Sequence, residues 1–187
     1  MSGHVFEHES PDRFIPGTVG MPGGRTFYLQ AVSGTTITSV LLEKEQVEML
    51  GERINELLDT VRSKNIGESN IPVSALPDYV DNSGLTMPVD SEFRVGTMSL
   101  GWDTRVHRLV IECFELSEAD REAGISAEPH EDTERDVLRV TLDAVQAREF
   151  ARHAELVVNA GRADCPFCSL PLDPEGHVCP RANGVAR

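Results

Sequence analysis

The fold class of this chain is decided by the stretch Thr35-Thr-Ile-Thr-Ser-Val-Leu-Leu-Glu43-Lys-Glu-Gln-Val-Glu-Met-Leu-Gly-Glu-Arg-Ile-Asn-Glu-Leu-Leu-Asp-Thr-Val-Arg62. Its first part is a short β-type run. From Glu43 onward, apolar residues recur at steps of three, four and seven, which is the period of one helix face. The members of this stripe are Val47, Leu50, Ile54, Leu57, Leu58 and Val61. We therefore predict a strand over Thr35–Leu42 that leads directly into a helix over about Glu43–Arg62.

A second segment, about one hundred residues further along the chain, repeats this pattern. The run Val137–Thr141 precedes a helix predicted over about Asp143–Ala160, whose stripe is Ala147, Phe150, Ala151, Ala154, Val157 and Val158. In both segments an acidic residue, Glu43 or Asp143, stands three positions before a glutamine. This spacing is typical of a capping box, in which aspartate is the better cap. We interpret the correspondence as an internal duplication; the alternative is that any strand-to-helix transition looks like this.

Three strand-like runs precede each of the two helices. They are Arg13–Val19, Arg25–Val32 and Thr35–Leu42 before the first, and Glu92–Leu100, Arg105–Leu116 and Val137–Thr141 before the second. Most of the turns between them are short, which implies antiparallel pairing. The expected fold is α+β, with helices covering an antiparallel sheet. Two β-β-β-α halves, about 1–62 and 91–160, would form one domain over 1–160, with 63–90 as the connector. Whether the strands form one sheet or two stays open.

The charge of the chain excludes some classes of partner. The formal net charge is −14 and the isoelectric point is about 4.8. A surface this negative repels phosphate backbones and anionic lipids, so binding to nucleic acid or to a membrane surface is disfavoured.

No run of about 18 apolar residues is present, and residues 1–10 lack the basic and apolar regions of a signal peptide. We expect a cytoplasmic protein. Residues 117–136 are predicted to form an acidic loop, and the sequence does not indicate its function.

The C-terminal segment 161–187 carries the clearest chemical motif. Cys165 and Cys168 form a C-x-x-C pair, and His177 and Cys179 form an H-x-C pair eight residues later. Three thiolates and one imidazole at this spacing favour one tetrahedral zinc ion. Four protein ligands leave no position for water, so we predict a structural zinc site. A segment of this size is too short to fold on apolar burial alone, and the metal would supply the missing stability.

Two other uses of these cysteines stay open from the sequence: a redox dithiol at Cys165 and Cys168, and an iron centre. A thioredoxin-like motif is disfavoured because the pair does not lie between a strand and a helix. The tail has no basic stripe, which disfavours nucleic-acid binding here as well.

Other chemistry-bearing residues have simpler explanations. We interpret His4 and His8 as part of a polar N-terminal strand, and His107, His130 and His153 as solvated or internally satisfied. The glycines of Gly17–Arg25 match no phosphate-binding pattern and predict a hairpin turn. Cys113 alternates with core positions and is expected to be buried.

The sequence also resembles a known family. The stretches Arg13-Phe-Ile-Pro-Gly-Thr-Val-Gly20, Arg25-Thr-Phe-Tyr-Leu-Gln-Ala31 and Leu41-Leu-Glu-Lys-Glu-Gln-Val47 resemble a conserved actinobacterial family of unknown function. So does the tail, Cys165-Pro-Phe-Cys168 and Gly176-His-Val-Cys179-Pro-Arg-Ala-Asn-Gly184. The resemblance implies a soluble protein with no assigned catalytic activity. It further suggests ParJ-type proteins, which are linked to the chromosome-partitioning ATPase ParA by protein contact.

These observations favour a non-enzymatic regulatory or adaptor protein that acts by protein–protein contact, with a zinc-stabilised tail. The partner is unidentified, and a ParA-type ATPase is the candidate that the resemblance suggests. The alternative is an enzyme or small-ligand-binding protein with a cleft between the two halves. In that case the turn Gly20–Arg25 and Arg105 would be expected to line the cleft.

Overall fold

The computed structural model describes residues 3–21, 24–64, 70–117 and 135–161, and the single positions 165, 167, 168, 179 and 181. Within these ranges the chain forms strands and two long helices, together with one short 3-10 helix, Pro77–Tyr79. In chain order the other elements are β1 Val5–Glu9, β2 Arg13–Val19, β3 Thr26–Ser33, β4 Thr36–Leu42, α1 Lys44–Ser63, β5 Ser91–Asp103, β6 Arg108–Glu115, β7 Val137–Leu142 and α2 Ala144–Asn159.

Both helices begin where their acid-plus-glutamine pairs predict. At α2, Asp143 Oδ1 accepts a hydrogen bond from the Gln146 N–H at 2.8 Å, and Gln146 Oε1 accepts from the Asp143 N–H at 3.1 Å. At α1, Gln46 Oε1 accepts from the Glu43 N–H at 2.8 Å, and the Glu43 carboxylate forms an ion pair with Arg94. These bonds satisfy N–H groups that the first helical turn leaves without partners.

The strands form one mixed sheet, which answers one open question and corrects one expectation. Their order is β1-β7-β6-β5-β4-β3-β2. Within each predicted half the strands are antiparallel, but β4 pairs with β5 in parallel, and so does β1 with β7. The prediction of an antiparallel sheet is therefore wrong for these two pairs. Short turns determine pairing only between the strands they join, whereas α1 and the connector are long enough to return the chain for a parallel pairing.

The sheet curls until its two edge strands are joined along the chain. Following the pairings around the sheet shows that β1 and β2 run in the same direction, and only Ser10–Asp12 separates them. Ser10 has a φ of +48° at this junction. The two strands therefore act as one bent strand that pairs first with β7 and then with β3. From β1 the imidazole of His8 reaches the hydroxyls of Ser33 and Thr38, at 2.8 and 2.9 Å.

The two helices lie side by side and bury their apolar stripes against the sheet. A Cβ atom added at Gly51 of α1 would lie 3.0 Å from the Ala154 Cβ of α2, so glycine permits this close approach. Phe14 of β2 stacks on Phe150 of α2, with ring centroids 4.8 Å apart. The order of strands and helix in β2-β3-β4-α1 recurs in β5-β6-β7-α2. An internal duplication accounts for this recurrence but stays a prediction.

The connector between the halves packs on the body, as its apolar residues indicate. Ile71 is buried, with 5% of its surface exposed. Gln30, fully buried on β3, holds Thr86 through two bonds: its Nε2 donates to the Thr86 carbonyl at 3.0 Å, and its Oε1 accepts from the Thr86 N–H at 2.7 Å. These contacts fix residues of the connector close to the sheet.

Two further predictions, on membrane spans and on the acidic loop, can be compared with the structure only in part. Among the described residues, no helix has both the length and the apolar character needed to cross a membrane. Most of the predicted acidic loop, residues 118–134, lies outside the described residues.

Candidate metal centre

Three of the four predicted metal ligands come together in the segment that follows α2. The sulfur atoms of Cys165, Cys168 and Cys179 all lie within 4.8 Å of one another. Cys165 and Cys179 are buried, with 4% and 7% of their surface exposed, and Cys168 is of intermediate exposure. The residues that the sequence separates by up to fourteen positions thus converge on one point.

The spacing of the sulfurs fits a tetrahedral metal ion. The sulfur atoms of Cys165 and Cys179 are 3.7 Å apart. Two thiolates bound at about 2.3 Å to one tetrahedral zinc ion stand about 3.8 Å apart, which is the edge of the tetrahedron. A disulfide would require about 2.05 Å. The donor set of soft thiolates suits zinc.

The backbone around Cys165 prepares this thiol to bind a cation. The hydrogen bond from the Phe167 N–H is the largest influence and lowers the pKa of the Cys165 thiol, which reaches about 6. Burial opposes this change, while the Cys168 N–H and the thiols of Cys168 and Cys179 add to it. The thiolate, which is the form that binds metal, is therefore favoured at neutral pH.

The fourth predicted ligand, His177, lies outside the described residues. The four-ligand site is thus observed as a three-cysteine cluster, and the imidazole stays a prediction. A redox dithiol and an iron centre stay open as other uses of the same cysteines.

An arginine that the sequence suggested for a different site fixes the start of the tail. Nη1 of Arg25 donates to the carbonyls of Val157 and Ala160 at 3.2 and 3.3 Å, so it caps the C-terminal end of α2. A cation is favourable there because the last carbonyls of a helix carry partial negative charge. Gly161 passes so close to Arg25 that an added Cβ would lie 2.5 Å from Nη2.

The expectation that the Gly20–Arg25 turn and Arg105 line one cleft stays a prediction, and the two arginines have different partners. Arg25 is engaged by α2, whereas 87% of the Arg105 side chain is exposed and its guanidinium pairs with Asp103. The sequence contains no direct signal for a helix-capping arginine that comes from a distant turn.

Two of the described histidines outside the tail, His8 and His153, have internal hydrogen-bond partners, whereas the buried Nδ1 of His107 has none among the described residues. His130 lies outside the described residues. Burial lowers the pKa of His8, whose two ring nitrogens face hydroxyls. His153 is buried, and its Nδ1 lies 2.7 Å from the carbonyl oxygen of Asp81. Cys113 is fully buried in the core, as predicted, and burial raises the pKa of its thiol to about 12. The side chains of His8, His153 and Cys113 are thus part of the protein interior.

A carboxylate network that the sequence did not reveal ties the connector to the body. Arg13 Nε donates to Asp81 Oδ2 at 2.6 Å, and the Asp81 N–H donates to Glu149 Oε1 at 2.9 Å. Arg152 holds the two oxygens of Glu149 at 2.7 and 2.6 Å. The sequence does not single out Asp81 and Glu149, because so acidic a chain offers many candidate pairs of carboxylates.

Two of the clefts adjoin the helices. One, of about 320 Å³, lies between α1 and α2, and its lining includes Glu48, Glu52 and Glu155. The other, of about 440 Å³, lies between the start of β2, the start of α2 and the connector at Tyr79 and Asp81. Neither lining contains a histidine, cysteine or lysine among the described residues.

Taken together, these features define an α+β protein with a cysteine cluster at its C-terminal end that is suited to a metal ion. The chain belongs to the family described as "Protein of unknown function (DUF3090)", which matches residues 4–179. The match spans all four predicted ligand positions. No curated protein and no solved structure matched the chain.

Proposed function

We propose that this protein is a non-enzymatic cytoplasmic regulator or adaptor that acts by protein–protein contact and carries one structural zinc ion. Cys165, Cys168, His177 and Cys179 would hold the ion. The observation that supports this proposal best is the 3.7 Å separation of the Cys165 and Cys179 sulfurs, which matches the edge of a zinc tetrahedron.

The role proposed for zinc is structural because four protein ligands close its coordination sphere. A closed site has no open position at which a water or substrate could be activated. The chemistry that the ion supplies is the bonding of thiolates that would otherwise repel one another. The tail would thereby gain a fixed conformation that a partner can recognise.

The proposal of protein contact draws on charge as well. An acidic body disfavours nucleic acid and anionic lipid and favours a basic partner. The ParA-type ATPase suggested by the family resemblance is the first candidate partner to test. A small-ligand-binding protein or enzyme is the alternative, and the groove between α1 and α2, one helix from each predicted half, is the observation in its favour.

The metal is tested on protein purified without chelators. We expect elemental analysis to give one zinc per chain, and X-ray absorption to show sulfur at about 2.3 Å with one nitrogen ligand. Cys165→Ser and His177→Ala should each lower the zinc content. Cys113→Ala is the matched control, because this cysteine lies in the core away from the cluster, and it should keep its zinc. Chains without any zinc would contradict the proposal.

The adaptor role is tested with the same variants. Wild-type protein and Cys165→Ser/Cys168→Ser are used as bait in native extract, and a purified ParA-type ATPase is assayed separately by calorimetry. We expect one stoichiometric partner that binds the wild type with micromolar or tighter affinity. The absence of any such partner, together with turnover of a small molecule, would favour the alternative instead.

A further inference from the structure

The larger cleft has a lining of apolar and acidic side chains that suits a cationic side chain of another protein. We name it the Tyr79 cleft. Its volume is about 440 Å³, and the connector contributes Tyr79 and Asp81 to its lining. Its lining residues are Ser10, Pro11, Asp12, Arg13, Phe14, Ile15, Tyr79, Asp81, Leu142, Asp143, Gln146 and Glu149.

Apolar side chains form part of the lining and the rim. Phe14, Ile15 and Leu142 are almost fully buried and contribute to the floor. The Tyr79 side chain lies at the edge, with 61% of its surface exposed. Its neighbours along the connector, Leu76 and Val80, are 37% and 39% exposed. An aromatic ring beside exposed aliphatic residues is typical of a recognition surface, in which tyrosine gives a large contact area at low entropic cost.

The charge of the lining determines what can occupy the cleft. Four carboxylates, those of Asp12, Asp81, Asp143 and Glu149, face only one lining cation, Arg13. Two of the four are engaged internally, because Asp81 pairs with Arg13 and Glu149 with Arg152. The other two each use one oxygen within the protein: Asp12 accepts from the Gly34 N–H at 2.7 Å, and Asp143 accepts from the Gln146 N–H at 2.8 Å. Among the described residues, no hydrogen bond to the second oxygen of either carboxylate is found.

The wall that carries Tyr79 is held firmly in place. The carbonyl of Asp81 lies 2.7 Å from His153 Nδ1 and accepts from Arg152 Nη2 at 3.2 Å. Its N–H and carboxylate are bound by Glu149 and Arg13. A site fixed in this way loses little conformational freedom when a ligand binds.

We propose that the Tyr79 cleft binds an arginine or lysine side chain of a protein partner, with the apolar neighbours of that side chain resting on Tyr79, Leu76 and Val80. A guanidinium fits best, because its planar fork can bond carboxylates while its face stacks on an aromatic ring. The inference rests on the proposed adaptor function and names the surface and the chemistry of the partner.

The test uses the full chain and a defined probe. Acetyl-Leu-Arg-Leu-amide is titrated into isotope-labelled protein up to about 10 mM, which reveals dissociation constants of millimolar order. Acetyl-Leu-citrulline-Leu-amide is the matched probe, because citrulline keeps the shape of arginine without its charge. We expect the arginine peptide to shift the amide resonances of Tyr79, Asp81 and Gln146, and to do so less as salt is raised. The citrulline peptide should bind at least fivefold more weakly.

A double variant separates charge from fold. Asp12→Asn/Asp143→Asn removes the charge of these two side chains but keeps the acceptors for Gly34 and Gln146, since asparagine caps a helix about as well as aspartate. We expect its affinity for the arginine peptide to fall about fivefold, which is ~1 kcal/mol. Glu48→Gln/Glu52→Gln, in the groove between α1 and α2, is the control and should bind as the wild type does.

Each outcome decides for or against the cleft. No shift at these residues, equal binding of the citrulline peptide, or unchanged affinity of Asp12→Asn/Asp143→Asn would overturn the inference. The proposed function fails separately: zinc content and capture of a stoichiometric partner are measured without the peptide. If a partner binds the double variant and the wild type equally, it docks elsewhere, and only the inference about this cleft is lost.

Discussion

Replacing Asp81 by asparagine tests the carboxylate network that holds the connector against the body. Asp81 accepts hydrogen bonds from Arg13 Nε at 2.6 Å and from the Ser83 N–H at 2.8 Å. Burial pushes the pKa of this carboxyl upward. The hydrogen bonds from Arg13 and Ser83, with the charge of Arg13, outweigh burial and bring the pKa down from 3.8 to about 2. The folded state therefore prefers the ionised form.

The size of the effect follows from this pKa. A fall from 3.8 to about 2 would stabilise a fully buried group by about 2.4 kcal/mol at neutral pH. A quarter of the Asp81 side chain is exposed to solvent, which screens its pairing with Arg13. We therefore expect Asp81→Asn to lower the free energy of unfolding by about 1 kcal/mol at pH 7.

The pH dependence has a definite sign. Because the pKa is lower in the folded state, this contribution is fully present above about pH 4 and is lost as the pH falls toward about 2. The difference between wild type and Asp81→Asn should therefore be constant from pH 7 to pH 5. It should then shrink as the wild-type carboxylate becomes protonated.

Urea unfolding followed by circular dichroism, at several pH values between 3 and 7, measures this difference. Asp103→Asn is the matched control. The hydrogen bond from the Arg105 N–H lowers the pKa of Asp103 as well, but 87% of the Arg105 side chain is exposed, so solvent screens this pair and Asp103→Asn should leave the unfolding midpoint unchanged. A pH-independent difference for Asp81→Asn, or an equal effect of Asp103→Asn, would refute the reasoning.

Two further substitutions test the ends of α2. Asp143→Ala removes the side-chain cap at the helix start and should lower the free energy of unfolding by about 1 kcal/mol, whereas Asp143→Asn should cost only a few tenths; thermal or urea unfolding distinguishes the two. Arg25→Gln removes the cation that binds the carbonyls of Val157 and Ala160, so amide hydrogen exchange in the last turn of α2 should accelerate. Arg105→Gln should leave that exchange unchanged, and equal rates for both variants would exclude the capping role.

The helices could be predicted because their signals are local. The stripe from Val47 to Val61 lies within one segment, and the observed helix, Lys44–Ser63, differs from the predicted bounds by one residue at each end. β2 likewise occupies the predicted range Arg13–Val19. Periodicity and capping depend on residues a few positions apart, which a single sequence displays fully.

The arrangement of the sheet depends on pairings that no local pattern records. β4 and β5 are separated by a helix and a connector, so nothing near Thr36 indicates that Ser39 will pair with Ser91. For the same reason, the sequence does not predict that β1 and β2 act as one bent strand. Its two pairing partners, β7 and β3, are the second and the sixth of the seven strands in the sheet order.

The candidate sites differ in the same way. Cysteine is rare and its spacing is distinctive, so Cys165, Cys168 and Cys179 could be predicted as a cluster from the sequence alone. Asp81 and Glu149 could not, because carboxylates are common in this chain and the two lie far apart along it. The capping role of Arg25 could not be predicted either. A helix C-terminus attracts any cation that lies near it, and only the three-dimensional structure shows that Arg25 lies near the end of α2.

The apolar core and the cysteine cluster are separate among the described residues, so a bound metal would stabilise only the tail. In the part of the chain that the structure describes, the large apolar cluster extends from Phe14 to Val158 and includes no residue of the tail. Among the described residues, the core of the sheet and the two helices therefore forms without Cys165 or Cys179. Metal binding stabilises the segment whose ligands it joins, since only those residues change their contacts when it leaves. Removal of zinc should thus change the conformation of the tail while the body, with its Tyr79 cleft, stays folded. Partner contacts that are lost with the metal can then be assigned to the tail, and those that persist can be assigned to the body.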